Sequence, residues 1–398
     1  MKKIEQLFCT RRSALLGMAG AVAEMAGCGG GGGAGVAGLS SGGTGSFTSG
    51  TIAGFGSIIV NGIRYNNDTA SVLSSDDTLA SGQSLQLGMV VNIEGSAVTP
   101  AVTATDLPAA TAYRITYGSE WLGPVSNKGT TSFEILGHTV DVLSTTFFGG
   151  AVQQYADLNA AHFVEVYGYV DQVNGHIQAS RIEVSVTQPT FYKLSGAVTQ
   201  INAASKTASL GLTAINWMDS AVLPAGVSNG DFVRVVLSPM ASGNAWIVSS
   251  IKPLNSPLAR LSSDHDYEAE IHGSITAYQS SASFVVNGIP VNASAAQITG
   301  TLGAGAVVEI EGSIRSGQLV ASKVAVKTAS QVEAQEFEFY GVVSNVTAQT
   351  FLVRGETFYY DRNTSNASLL SRNPLPSVKV KALRSNGRWQ ATEIEMAD

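Results

Sequence analysis

The chain has 398 residues, 44% hydrophobic but only 13% charged, half the ~25% charge of ordinary soluble domains. This excludes a wholly disordered chain and sets an expectation of two to three domains at ~150 residues each. Net charge is −7, or −9 once the four basic and two acidic residues of segment 1–27 are set aside. An acidic chain without a Lys/Arg cluster repels phosphate backbones, so nucleic-acid binding is disfavoured.

Both cysteines, Cys9 and Cys28, precede residue 29, so no intrachain disulfide can staple the rest. In residues 1–13 stand Lys2, Lys3, Arg11 and Arg12, followed by a small-residue apolar stretch over 14–23. At ~10 residues that stretch is too short to span a ~30 Å hydrocarbon core; a basic segment before a short apolar one reads as an export signal. Arg11-Arg12 sits in a pattern similar to a twin-arginine signal, with Ala14 where that motif has Phe, so the twin-arginine and general routes both stay open. Met25-Ala26-Gly27-Cys28 resembles a bacterial lipobox, whose cysteine is lipidated and becomes the new N-terminus; Met25 departs from the usual Leu. Gly29, rather than Asp, after the cysteine implies outer-membrane placement. Residues 29–46 are Gly-rich and read as a flexible tether. Within it, 33–38 matches the dinucleotide fingerprint and 38–42 the nucleophile elbow. Neither follows a strand nor opens a helix, so neither carries function.

From residue 47 the chain repeats itself. Gly50, Gly123, Gly196, Gly273 and Gly341 each follow a strand-like run and recur every 68–77 residues. A short apolar strand closing on Gly follows, as in Ile58-Ile59-Val60-Asn61-Gly62 and Phe284-Val285-Val286-Asn287-Gly288. A longer alternating strand comes next: 88–95 and 305–312 are near copies, and 162–168, 231–235 and 378–381 match them in register. Period two puts Val308 and Ile310 on one face and Glu309 and Glu311 on the other, a face expected to be wet. Asn-Gly at 61–62, 174–175, 287–288 and 386–387 suits type I′ hairpin turns. Helical periodicity is confined to a turn or two within 153–161.

Each unit thus holds about five strands, with a looser segment between the third and fourth, as in a small OB-like barrel. The expected fold is all-β: a signal peptide (1–27), a tether (28–46) and five barrels over 47–112, 113–187, 188–257, 258–330 and 331–398. So small a unit buries only ~60% of its unfolded surface, so stability is expected to draw on packing between neighbours.

Residues 54–65, Gly-Phe-Gly-Ser-Ile-Ile-Val-Asn-Gly-Ile-Arg-Tyr, with the strand at 88–95, resemble the bacterial domain-of-unknown-function family 5666. The resemblance spans 47–398, closest in copies one and four and faintest in copy three, where Leu237 replaces the strand-closing Gly. It implies repeated small β-barrels in exported proteins, often lipoproteins. It implies no activity, and no catalytic residue is carried over.

The five histidines show no metal-motif spacing, although His138, His162 and His176 share the second unit and could converge there. Asp264-His265-Asp266 lacks the further oxygen ligands of a calcium loop. Aromatic residues say more. Tyr113, Tyr117 and Trp121 gather where units one and two meet, and alternation must leave at least one ring of Phe358-Tyr359-Tyr360 outward. Such rings pack on a neighbouring unit in the first reading, and stack on a sugar or peptide in the second; Tyr117, Trp121, Tyr359 and Tyr360 are the candidate ligand surface. The sequence therefore predicts a non-catalytic, lipid-anchored envelope protein without cofactor or metal, held to the membrane through Cys28, its repeats serving as a spacer or as a protein- or glycan-binding surface. The alternatives are a metal-binding or hydrolytic envelope enzyme built on the repeat-two histidines, and an OB-like oligonucleotide binder.

Overall fold

The computed structural model describes residues 45–74, 85–102, 106–171, 175–217, 222–254, 256–261, 266–328, 336–385 and 387–397. The signal segment, Cys28 and the tether as far as residue 44 lie outside the described residues, while Gly45 and Ser46, expected in the tether, already belong to the first strand. The described residues form β-structure with three short 3-10 turns among them, one being Tyr155–Asp157, within the stretch expected to be helical.

The first barrel comprises β1 (Gly45–Phe55), β2 (Ile58–Val60), β3 (Ile63–Asn66), the short β4 (Ser71–Ser74), β5 (Val90–Ser96) and β6 (Ala109–Tyr117). Antiparallel pairing joins β1 to β2, β2 to β3, β1 to β5 and β5 to β6, and a parallel β3–β6 pair closes the ring. That is the connectivity of the OB-fold, a five-stranded Greek-key barrel. The same closure recurs in β7–β11 (Trp121–Ser126, Ser132–Ile135, His138–Gly150, Phe163–Asp171, His176–Ser185). It recurs again in β12–β16 (Tyr192–Asn202, Thr207–Leu210, Thr213–Asn216, Phe232–Ser242, Ala245–Pro253). The fourth barrel is β17–β22 (Tyr267–Ser280, Ser283–Val286, Ile289–Asn292, Gln297–Thr299, Val307–Arg315, Gln318–Val326), its β20 an extra strand like β4. The fifth is β23–β27 (Glu336–Ser344, Thr350–Val353, Glu356–Tyr359, Ser377–Ser385, Arg388–Met396). Because β6 runs to Tyr117, Tyr113 and Tyr117 belong to the first barrel, and the expected boundary at 112/113 moves to the segment 118–120 between β6 and β7.

The repeating glycine holds one place in every barrel, and at Gly50, Gly123 and Gly273 a Cβ would stand under 3 Å from a neighbouring side chain. Each one opposes a valine of the fourth barrel strand: Gly50 with Val91, Gly123 with Val164, Gly196 with Val233, Gly273 with Val308 and Gly341 with Val378. Asn61 and Asn287 occupy the first position of their hairpin turns at φ 51°, each followed by Gly at φ 75–77°, as a type I′ turn requires. Each asparagine folds its amide over the glycine and donates to the preceding carbonyl, Ser49 O at 3.0 Å and His272 O at 3.3 Å. A Cβ on Gly50 or Gly273 would stand 2.1–2.2 Å from that amide.

The barrels share cores out of chain order. Barrels two and three bury one continuous cluster around Trp121, Phe133, Leu194 and Leu237. Barrels one and five bury another around Ile52, Tyr65, Phe339 and Trp389, into which barrel two inserts Phe147. Barrel four keeps its own core and receives Phe47 from β1. Fully burying one such side chain contributes ~1.5–3 kcal/mol. The centre of the assembly is β1, which pairs with β2 and β5 of its own barrel and, in parallel, with β17 through its first half and β23 at its end. Flanked by barrels on every side, ten of its eleven residues are buried. Small Gly, Ser and Thr fill it because bulky side chains would hold the barrels apart.

The face expected to be wet is partly covered. Glu311, Arg234 and Lys379 are each no more than 7% exposed. The charges pair across the fourth and fifth barrel strands: Lys323 with Glu311 at 2.7 Å, Lys381 with Glu393 at 3.0 Å, and Lys327 with Glu309 and Lys379 with Glu395 in close contact. Neighbouring barrels take the place of solvent there, and pairing is what lets charge tolerate burial.

Candidate functional site

Four barrels leave a cleft of about 730 Å3 between them. Barrel one contributes Phe47 and Ser49 from β1, Asn92 and Glu94 from β5, and Tyr117 from β6. Tyr169 of β10 comes from barrel two, Phe232, Arg234 and Lys252 from barrel three, Thr276 and Asn287 from barrel four. Glu120 and the 3-10 turn Pro257–Arg260 line it from the inter-barrel segments. Strand alternation sets Phe47 and Ser49 on one side of β1, where both are buried under the cleft floor and Phe47 packs in barrel four's core, whereas Thr48 turns inward to Tyr65, hydroxyl to hydroxyl at 2.7 Å.

Both cleft carboxylates have cationic neighbours. Glu94 lies 3.7 Å from Arg114, and Glu120 lies 3.6 Å from Arg234. Burial holds the Glu94 carboxyl above its usual range, while Arg114 and Arg260 pull it back. Lys252, exposed at the rim, forms no ion pair among the described residues. Three buried polar atoms of the wall lack hydrogen-bond partners: Ser49 Oγ, the Tyr169 hydroxyl and Glu120 Oε2. Thr51 stands beside Tyr169 but closes no bond of normal geometry with it, and burial pushes the phenol pKa up.

Of the aromatic residues singled out from sequence, only Tyr117 reaches the cleft. Trp121 is wholly buried, its indole N–H donating to Ser195 O at 2.9 Å across the junction of barrels two and three. It packs on a neighbouring unit and cannot form a ligand surface. The Tyr359 ring carries Arg388 at 5.4 Å, and the Tyr360 hydroxyl donates to Thr347 O at 2.7 Å. Phe358 is the core-facing member of that run. Arg11, Arg12, Met25, Ala26, Gly27 and Cys28 lie outside the described residues, as do Asp264 and His265.

The histidines of barrel two do not converge. His138 Nε2 meets Thr213 Oγ1 at 2.9 Å, His162 Nδ1 accepts from Asn159 N at 3.1 Å, and His176 Nδ1 faces Asp141 at 3.2 Å. Among the described residues no three His, Cys, Asp or Glu side chains are grouped to hold a metal ion.

Beside the cleft residues of β1 and β17 lies a buried acid. Glu270 is 2% exposed, with one carboxylate oxygen unpartnered. Burial, then Glu309 and Glu311, hold its pKa well above 4.5. Between the unfolded value and that raised one, the native state binds the extra proton, so its contribution to stability falls as pH rises. Glu270→Gln, a mimic of the neutral acid, is therefore expected to raise the melting temperature by several degrees at pH 8 and hardly at all at pH 5. An equal gain at both values would contradict a proton held by the fold. His272, two residues on, acts oppositely. Burial lowers its pKa to about 4, so stability is lost as pH falls from about 6.5 through 4.

These features define a class: an all-β protein of tandem OB-like barrels gathered around an inter-barrel cleft. The model of the family described as Domain of unknown function (DUF5666) matches residues 123–183, 272–325 and 340–395, one region in each of barrels two, four and five. Barrel one lies outside the matched regions although its 54–65 segment resembles the family. No curated protein matches the chain. A solved structure titled "drosophila Unr CSD456" is similar at 13% identity over 53% of this chain and 98% of that one, with a TM-score of 0.13, too low to carry any argument.

The cleft escaped sequence reading because its wall is drawn from residues 47 to 288, and the repeat motifs that contribute to it, the 88–95 strand and the Asn287-Gly288 turn, read as framework of their own barrels. Only Tyr117, as an aromatic beside a unit junction, left a legible signal.

Proposed function

We propose that the protein is an exported, lipid-anchored and non-catalytic binding protein of the cell envelope, whose ligand occupies the cleft between barrels one to four. One observation carries the binding: four barrels converge on a cleft of about 730 Å3, within the ~300–1,000 Å3 of ligand pockets, with the exposed Lys252 and Arg260 at its wall. Binding is favoured over spacing because barrels one and five share a core, which folds the array back on itself instead of extending it. The lipobox-like 25–28 segment and the Gly-rich run after it support the anchor.

Intact mass of the protein extracted from native membranes tests the anchored half. Cleavage before Cys28 with added acyl mass, lost in Cys28→Ala, is the expected result. Cleavage without lipid overturns the anchor. Binding is tested from the exposed Ala259 at the cleft wall. Ala259→Trp fills the space, so a small molecule that copurifies with the parent is expected to be absent from the variant.

A further inference from the structure

We infer that a patch of apolar side chains at the seam of barrels two and three lies against the lipid bilayer; this rests on the anchored reading above and names the face that meets the membrane. Val186 is 68% exposed, Phe191 43% and Met240 74%. Strand pairs and ring contacts tie them into one surface. Val186 follows Ser185, which pairs with Phe163. The Phe163 ring stacks on Tyr192 with centroids 6.4 Å apart, and Tyr192 meets Trp246 edge-on at 5.5 Å. Phe191 precedes Tyr192, and Met240 precedes Ala241, which pairs with Trp246. Tyr192 is buried in the shared core, whereas Phe163 and Trp246 are half-buried and pack on that core from its surface. Single exposed apolar residues are ordinary, but contiguous ones mark sites of interaction with proteins or membranes.

Charge selects the bilayer. Residues 158–164, 184–192 and 235–251, which carry the patch, contain no Asp, Glu, Lys or Arg, so no charge of theirs has to leave water when the patch does. A protein interface is enriched in Arg and ringed by a polar rim, and these segments offer no Arg. Phe, Met and Val beside a half-buried Trp are the composition that settles at a membrane interface. A net charge of −7 gives the chain no attraction for anionic headgroups, so contact has to come from apolar burial. Chain length leaves the choice of face open: residues 29–44 span at most ~60 Å, well beyond the ~20 Å radius of gyration of a compact body this size. Held by an anchor, the patch meets the bilayer at an effective concentration of ~mM, so a few inserted side chains suffice.

A chemical tether tests this without relying on lipidation in the cell. The chain over 28–398 keeps Cys28 as its one cysteine, which is coupled to a maleimide phospholipid in neutral phosphatidylcholine vesicles. Trp121, Trp217 and Trp389 are buried, so Trp246 is the accessible one of the four tryptophans. Brominated phosphatidylcholine is expected to quench part of the emission, and Trp246→Phe to remove that quenching. Met240→Asp and Phe191→Asp are each expected to weaken docking at least about tenfold, the worth of burying one such side chain. Val342→Asp, at an exposed position of barrel five, is expected to leave the quenching unchanged. Absence of quenching in the parent overturns the proposal. So does quenching that survives both Met240→Asp and Phe191→Asp, or that appears only when anionic lipid is added. Dimers in solution that Met240→Asp dissolves, with no quenching on vesicles, assign the patch to a second copy and overturn it too. Native protein without acyl mass overturns the anchor, while quenching of the tethered chain still upholds this face.

Discussion

Trp389→Ala is expected to loosen the first barrel as well as the fifth, although some 270 residues separate Trp389 from the end of barrel one. Its ring sits 4.8 Å from Phe339, 5.2 Å from Phe337 and 5.6 Å from Phe147, with the Arg384 guanidinium 5.3 Å away. Its indole N–H donates to Glu356 at 3.1 Å. Truncating a buried tryptophan costs ~3–5 kcal/mol through lost transfer and the cavity left behind, a large part of the ~5–15 kcal/mol that holds a native state. The hole opens into the core that also contains Ile52, Ile58 and Tyr65 of barrel one. Amide exchange should therefore rise in β1–β3 together with β23–β27, while the separate core of barrels two and three keeps its protection. Faster exchange confined to β23–β27 would refute the shared core.

Arg181→Ala is expected to cost about 3 kcal/mol and to release the loop before β5 from barrel two. Arg181 is 7% exposed on β11. Its Nε donates to Glu183 at 2.6 Å, one Nη donates to Leu87 O at 2.9 Å and the other meets Gln86 Oε1. Removing one partner of a buried ion pair costs ~3–5 kcal/mol, and Glu183's partial exposure keeps the figure at the lower end. Arg181→Lys restores the charge but not the planar fork that reaches three acceptors at once, so it should recover less than half of the loss in denaturant unfolding. A lysine variant as stable as the parent would show that charge, not geometry, joins the two barrels.

The strands were legible because side-chain alternation is local. Val308, Ile310, Glu309 and Glu311 declare their faces from spacing alone, and Asn61-Gly62 declares its turn. The role of β1 was not legible: Gly45–Phe55 reads as a feeble strand, since its small residues answer to three surrounding barrels and not to its own neighbours in sequence. The supposed wet face failed for the same reason. Glu311 and Lys379 alternate as solvated residues would, and nothing within their own strands announces the cover.

Sequence by itself determined that there are repeated five-stranded units, where the tight turns fall, and that a glycine recurs once per unit. These follow from periodicity and from backbone conformations that few residues tolerate. Tertiary structure alone decided that barrel one shares its core with barrel five, that Trp121 is a buried strut, and that residues from four barrels converge on one cleft. Such contacts depend on how closed barrels pack against one another, and a repeat that looks alike in every copy carries no mark of which copy it will meet.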